Sequence, residues 1–115
     1  MGVVQNNQVV MTLGEFIRKV LKRAKMTHGK FYDNVGIGKP YFYDVLAGRM
    51  PPPPPEVQYR MLQALELTPQ EQMEFLDLAA EGRDEIPADI AEMILNNRDK
   101  MMEIRGAIRT VLEKK

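Results

Sequence analysis

The chain carries few side chains suited to catalysis. His28 is the only histidine, cysteine is absent, and there is neither a glycine-rich phosphate loop nor a pair of histidines at metal-ligand spacing. Acidic residues are plentiful in the second half, but they are spaced as on a solvated helix face. We therefore expect no enzyme, no metal and no cofactor, and we keep a small enzyme built on carboxylates alone as a remote alternative.

Basic side chains are concentrated in the first half of the chain, although the formal net charge of the whole is zero. Residues 1–50 hold eight Lys and Arg against three Asp and Glu, a net charge of +5, so residues 51–115 carry −5. Such asymmetry suggests that the first half meets a polyanion. The alternative is two solvated surfaces that differ in charge by accident.

The composition is that of one small domain. The 115 residues, 44% hydrophobic and 28% charged, are enough to bury a single core without a disulfide. No apolar run approaches the roughly 20 residues that span a bilayer, and the N-terminus lacks the pattern of a secretion signal. We expect a cytoplasmic protein with no membrane contact and no evident small-molecule substrate.

Apolar residues recur at three- and four-residue intervals, which predicts an all-α protein. Capping boxes at Thr12 and Thr68 mark two helix starts, and Met11 and Phe16 are placed to form a hydrophobic staple. The predicted helices cover residues 13–25, 28–35, 40–46, 56–65, 69–80, 87–95 and 98–113. The run of prolines at 51–55 predicts a stiff extended connector, with a ligand for a proline-binding partner as the alternative.

The same spacing predicts which side chains form the core. The buried candidates are Leu13, Phe16, Ile17, Val20, Leu21, Ala24, Phe31, Val35, Phe42, Val45, Leu46, Val57, Met61, Leu62, Leu65, Met73, Leu76 and Ala79. In the last helix Met101, Ile104 or Arg105, Ile108, and Val111 or Leu112 keep the spacing as well. That stripe either closes the core or pairs with a second copy of the chain.

The strongest pattern is a pair of short helices joined by a glycine turn. Gly36 ends the first, because glycine accepts the left-handed conformation in which helices commonly end, and Pro40 stands where the second begins. A helix-turn-helix of this kind places its second helix in the major groove of DNA, about 12 Å wide, while its first helix crosses the backbone.

Residues 12–49 resemble the lambda-repressor-like, or Xre/Cro-type, helix-turn-helix family. The matching features are LGEFIRKVLKRAKMT, the turn VGIGKPYFYDVL and AGR followed by prolines, and the resemblance extends to about residue 80. The segments PYFYDVLAGRMPPPP, LDLAAEGR and IPADI are similar to a subgroup of regulators from phages and mobile elements. The resemblance implies a bundle of about five helices with a C-terminal helical extension.

The resemblance also implies a set of DNA contacts. Bases would be read from the first turn, middle and flank of the third helix, and phosphates bound at the start of the second helix and after the third. The implied base-reading residues are Lys39, Pro40, Tyr41, Tyr43 and Asp44, and the implied phosphate-binding residues are Thr27, His28 and Arg49. His28 as an ordinary residue near a helix cap is the alternative.

Three of these residues have distinct chemistry. Lys39 suits the O6 and N7 atoms of guanine, or a phosphate, whereas Asp44 accepts only from a base donor such as cytosine N4. Pro40 departs from the family pattern, because a polar base-reading side chain is frequent there. Direct base readout is therefore expected to be sparse.

We divide the chain into an N-terminal arm (1–11), a helix-turn-helix DNA-binding domain (12–80) and a C-terminal helical extension (81–115) that is a possible dimerisation region. The arm is a disordered segment, a strand pairing across a dimer or a minor-groove arm. The predicted function is a sequence-specific transcriptional regulator, expected to repress, that binds a double-stranded DNA operator as a homodimer. The alternative is a protein-interaction module, an antitoxin or adaptor, that uses the Met-rich acidic half.

Overall fold

The computed structural model of the chain describes residues 11–114, which contain helices and no strand, so the all-α prediction is confirmed. The helices are α1 (Leu13–Ala24), α2 (His28–Val35), α3 (Lys39–Ala47), α4 (Pro55–Ala64), α5 (Pro69–Arg83), α6 (Ala88–Leu95) and α7 (Met101–Glu113). A turn of 3₁₀ helix, Arg98–Lys100, precedes α7. The three alternatives for the N-terminal arm concern residues that, apart from Met11, lie outside the described range.

Local sequence sets the helix ends. At the start of α1 the Glu15 carboxylate accepts a hydrogen bond from the Thr12 backbone N–H at 2.8 Å, and the Thr12 hydroxyl accepts one from the Glu15 N–H at 3.1 Å. Thr68 and Glu71 form the same capping box at α5. Gly36 and Gly48 end α2 and α3 with φ of 85° and 79°, a region that glycine enters without steric cost.

The core lies where α1 crosses α3 and α5. Phe16 of α1 packs edge-on against Phe75 of α5, with ring centroids 6.1 Å apart. Of the predicted core, the α1 candidates from Leu13 to Leu21 and all the candidates of α2 and α3 are buried, whereas Ala24 at the end of α1 is exposed, so the prediction for it is wrong. Val57 and Leu62 are only half-buried, and the prediction for Met73 is wrong, because 53% of its surface is exposed. Phe75 takes the inward position on α5 instead.

Close backbone approach is possible at the α1–α3 crossing because Gly14 has no side chain. A Cβ atom at this position would overlap the backbone carbonyl of Leu46. A second link runs from α1 to the start of α5, where the Arg23 guanidinium pairs with the Glu71 carboxylate at 2.6 Å. These contacts fix α1, and through it α3, against the rest of the bundle.

The proline run is an extended connector packed on the body of the protein. Pro55 already belongs to α4, and Pro53 is buried. The Gln58 side-chain amide donates to the Pro53 carbonyl at 2.8 Å, and Arg83 donates to the Pro52 carbonyl at 3.0 Å. The carbonyls of this segment are thus held by α4 and α5, which orients the chain between α3 and α4.

The C-terminal elements contribute little to this core. Ala88 is the only buried residue of α6, and α7 has none. The Asn97 side chain donates to the Met93 carbonyl at 2.7 Å, so it closes α6 and leaves the 3₁₀ turn without a side-chain cap. In the described part of the chain, no helix combines the length and the apolar character needed to cross a membrane.

Candidate nucleic-acid interface

The helices α2 and α3 are joined by a three-residue turn, Gly36 to Gly38. The Ile37 N–H donates to the Tyr32 carbonyl at 3.1 Å and tightens the end of α2. Phe42 anchors α3, because its buried ring lies 5.7 Å from that of Phe31 and 5.5 Å from that of Tyr32. The inner side of α3 is therefore fixed, and its remaining surface is available for other contacts.

The amino end of α3 is open to solvent. Lys39 and Pro40 are exposed, and Gly38, at the N-cap position, offers no side chain to bond the first backbone N–H groups. Among the described residues no carboxylate lies within 4.0 Å of the Lys39 ammonium. The first turn of α3 thus combines a free positive charge with uncapped N–H donors, which favours an anionic or acceptor group opposite it.

His28 and Tyr43 connect the start of α2 to the flank of α3. The His28 Nδ1 atom lies 3.1 Å from the Tyr43 hydroxyl, and the His28 ring also packs edge-on against Phe42, with centroids 5.5 Å apart. Both polar side chains are half-buried. They therefore set the angle between the two helices, a role that the sequence did not reveal because the partners are fifteen positions apart.

Tyr41 lies on the side of α3 away from Tyr43, since two helical steps turn the chain by about 200°. Burial raises the pKa of the Tyr41 phenol above its ordinary value, while the nearby Arg83 guanidinium opposes this. The phenol is therefore protonated at neutral pH. A side chain that reads bases is expected to face away from the body of the protein, whereas Tyr41 lies near Arg83 of α5.

Asp44 and Arg49 form an ion pair at the carboxyl end of α3. The Arg49 Nε atom donates to the Asp44 carboxylate at 2.8 Å, and the Arg49 backbone N–H donates to the Asp44 carbonyl at 2.8 Å. The sequence assigned one residue to bases and the other to phosphates. The structure joins them, because the chain reverses at Gly48 and returns Arg49 to the last turn of α3.

Six of the eight bases in the first half have no acidic partner in the part of the chain that the structure describes. Arg23 pairs with Glu71 and Arg49 with Asp44, whereas no ion pair within 4.0 Å appears in residues 11–114 for Arg18, Lys19, Lys22, Lys25, Lys30 and Lys39. Thr27 accepts the Lys30 N–H at 3.1 Å and so caps α2. No group of three or more His, Asp and Glu side chains in this range is arranged to hold a metal ion.

Seven of the eight residues assigned from the sequence therefore occupy three places. His28 and Tyr43 meet between α2 and α3, with Thr27 beside His28 at the start of α2. Lys39 and Pro40 form the exposed start of α3, and Asp44 and Arg49 pair at its end. Tyr41 lies apart from these three groups, on the side of Arg83. Comparisons of the chain with protein-family models, with curated proteins and with solved structures found no match.

Proposed function

We propose that the chain is a sequence-specific DNA-binding regulator of transcription, acting as a repressor and as a homodimer, that inserts the amino-terminal turn of α3 into the major groove. The observation that carries the proposal is the placement of α3: Phe42, Val45 and Leu46 bury its back, while Lys39 at its start is exposed and unpaired. A helix with its side chains is about 10–12 Å across, which matches the groove.

The contacts divide into base reading and positioning. The Lys39 ammonium donates to guanine O6 and N7, and Pro40 offers apolar surface to a thymine methyl, whereas Tyr41, on the side of Arg83, takes no part in base reading. Thr27 uses its oxygen to cap α2 and keeps its hydroxyl proton for a phosphate oxygen. The His28–Tyr43 contact holds this phosphate-binding end of α2 at a fixed distance from α3.

The ion pair at the end of α3 gives Asp44 and Arg49 a limited part in binding. Arg49 reaches a phosphate only by sharing or leaving the Asp44 carboxylate, and that carboxylate repels the phosphate. The attraction to DNA then comes chiefly from the six bases between Arg18 and Lys39 that have no carboxylate within 4.0 Å among the described residues. This supports binding with strong dependence on salt and modest base specificity.

The test is a titration of labelled random-sequence duplex with the protein over a range of salt concentrations. If about six phosphates are neutralised, the logarithm of the affinity falls with the logarithm of the salt concentration at a slope near −5. Selection from a random duplex pool then yields a palindromic site if the protein binds as a two-fold dimer. A titration that does not depend on salt contradicts the proposal.

The second candidate is a protein-interaction module, an antitoxin or adaptor. It is favoured by the large exposed apolar side chains of the C-terminal elements, among them Met93, Leu95 and Leu112. This function predicts no electrophoretic shift with random duplex at low salt and none with the DNA upstream of its own gene. The first proposal predicts a shift in both experiments.

A further inference from the structure

Helix α7 presents an apolar stripe that the described structure leaves largely uncovered, with only its first member, Ile104, half-buried. On an ideal helix Ile104, Ile108, Val111 and Leu112 fall within a sector of about 100°. Val111 and Leu112 are 64% and 77% exposed, and no residue of α7 is buried. A 13-residue helix of this kind is marginal by itself in water, so packing against a partner would stabilise it.

The charges on α7 are arranged around this stripe. On an ideal helix Arg105 and Arg109 flank it on one side, Glu103 flanks it on the other, and Glu113 projects from the opposite face. Within residues 11–114, no carboxylate lies within 4.0 Å of Arg105 or Arg109. The partner of the stripe is therefore expected to be apolar, with acidic residues facing the side of Arg105 and Arg109.

A groove of this description lies between α4 and α6. It encloses about 590 Å³, and Tyr59, Ile86 and Leu95 supply apolar surface while Asp84 and Glu92 supply charge. Neither carboxylate has a basic partner within 4.0 Å in the described chain. Burial and the carboxylates of Glu92 and Asp89 raise the pKa of Tyr59, which indicates a local excess of negative charge.

We propose that two copies of the chain exchange their last helices, so that α7 of each copy lies in the α4–α6 groove of the other. The stripe covers Tyr59, Ile86 and Leu95, and the flanking bases face the acidic rim. An antiparallel packing of two α7 stripes would place the Arg105 and Arg109 side of one copy against that of the other, which is unfavourable. Within one chain the α4–α6 groove stays open, because no residue of α7 is buried against it.

This inference rests on the proposed function, because it supplies the interface of the proposed homodimer. The oligomeric state is measured without DNA, so that either proposal can fail without the other. Sedimentation equilibrium of the full chain should show a dimer. Ile108→Asp should give a monomer, while Thr110→Asp, a change on the far side of α7, should leave the dimer intact. Both residues are exposed, so neither change should unfold the chain, and circular dichroism checks this.

A charge exchange tests the choice of groove. Arg105→Glu with Arg109→Glu should raise the dimer Kd about tenfold or more, as should Glu92→Lys, because each removes several exposed ion pairs. Combining them should restore dimerisation. A monomeric wild type, a dimer indifferent to these changes, or two weakened variants that do not rescue each other would overturn the exchange.

Discussion

At residue level, the structure assigns different tasks to bases that look alike in the sequence. Arg23 and Arg49 are paired with carboxylates, whereas Lys39 has no such partner among the described residues. A paired base must give up its partner to bind a phosphate, and a free one does not. Contributions to DNA binding should therefore follow pairing and position rather than formal charge.

Lys39→Ala and Arg49→Ala separate these tasks. The first should cost about 1–3 kcal/mol of binding free energy and relax the preference at one base pair, because it removes a base contact. The second should weaken all sequences about equally. Fluorescence anisotropy with a panel of single-base operator variants measures both, and identical profiles would contradict the division of roles.

Asp44→Asn is the companion change at the same ion pair. It removes the charge that repels phosphates and releases Arg49, so non-specific affinity should rise. Anisotropy with random duplex at low salt detects this increase. If the tighter binding disappears in the Asp44→Asn, Arg49→Ala double variant, the increase comes from the released Arg49 guanidinium. If the affinity of the single variant falls instead, the Asp44 carboxylate assists binding and the prediction is wrong.

The Arg23–Glu71 pair makes stability depend on pH. The Arg23 guanidinium, with the Thr68 N–H, lowers the pKa of Glu71 from 4.5 to about 2. Because the folded-state value is the lower one, the pair stabilises the fold above about pH 4.5 and this stabilisation is lost as the pH falls through about 2. Urea unfolding of Glu71→Gln should therefore approach that of the wild type as the pH falls, whereas the control Glu74→Gln should differ little from it at any pH.

At the level of elements, close helix contacts fix the orientation of α3. The α1–α3 crossing depends on Gly14, and the chain after α3 depends on the prolines held by α4 and α5. Gly82 permits the second contact, since a Cβ there would lie 2.6 Å from Pro52 Cγ. Small residues at crossings, rather than hydrophobicity alone, determine how the exposed turn of α3 is presented.

Gly14→Ala tests the crossing. The added methyl group would overlap the Leu46 carbonyl, so the free energy of unfolding should fall by about 1–3 kcal/mol. Gly106→Ala in α7 is the control, because a Cβ there meets nothing within 4 Å and alanine favours helix. Urea unfolding compares the two, and equal effects would show that the α1–α3 approach is not tight.

Across the whole molecule, charge alternates in three blocks. Residues 1–50 carry +5, residues 51–97 hold two bases and ten acids, and residues 98–115 hold six bases and three acids. The basic first block carries the proposed DNA contacts, while the acidic second block repels DNA and suits a basic partner. The third block supplies such a partner on α7.

Deletion of residues 98–115 should separate folding from assembly. No residue between Arg98 and Glu113 is buried, so the free energy of unfolding, measured in dilute solution, should change by no more than about 1 kcal/mol. The dimer should be lost at the same time if helix exchange holds. Thermal unfolding and sedimentation on the same samples measure both, and a shortened chain that no longer folds would show that α7 belongs to the core.

The sequence by itself determined the helical elements of this protein. Capping boxes, glycine termini and the three–four spacing are local signals, and they located seven helices to within a few residues of their observed ends. The same spacing selected most of the core, because one helix face is buried whatever the partner is. It misplaced Met73 because the neighbouring Phe75 fills the inward position on α5.

Only the tertiary structure decided how the candidate site is arranged. It paired Asp44 with Arg49, His28 with Tyr43 and Arg23 with Glu71, over separations of 5, 15 and 48 positions. It also left α7 uncovered, although its apolar spacing resembles that of the core helices. Periodicity reports that a face is apolar, but which surface meets that face depends on the chain's path in space, which local spacing does not encode.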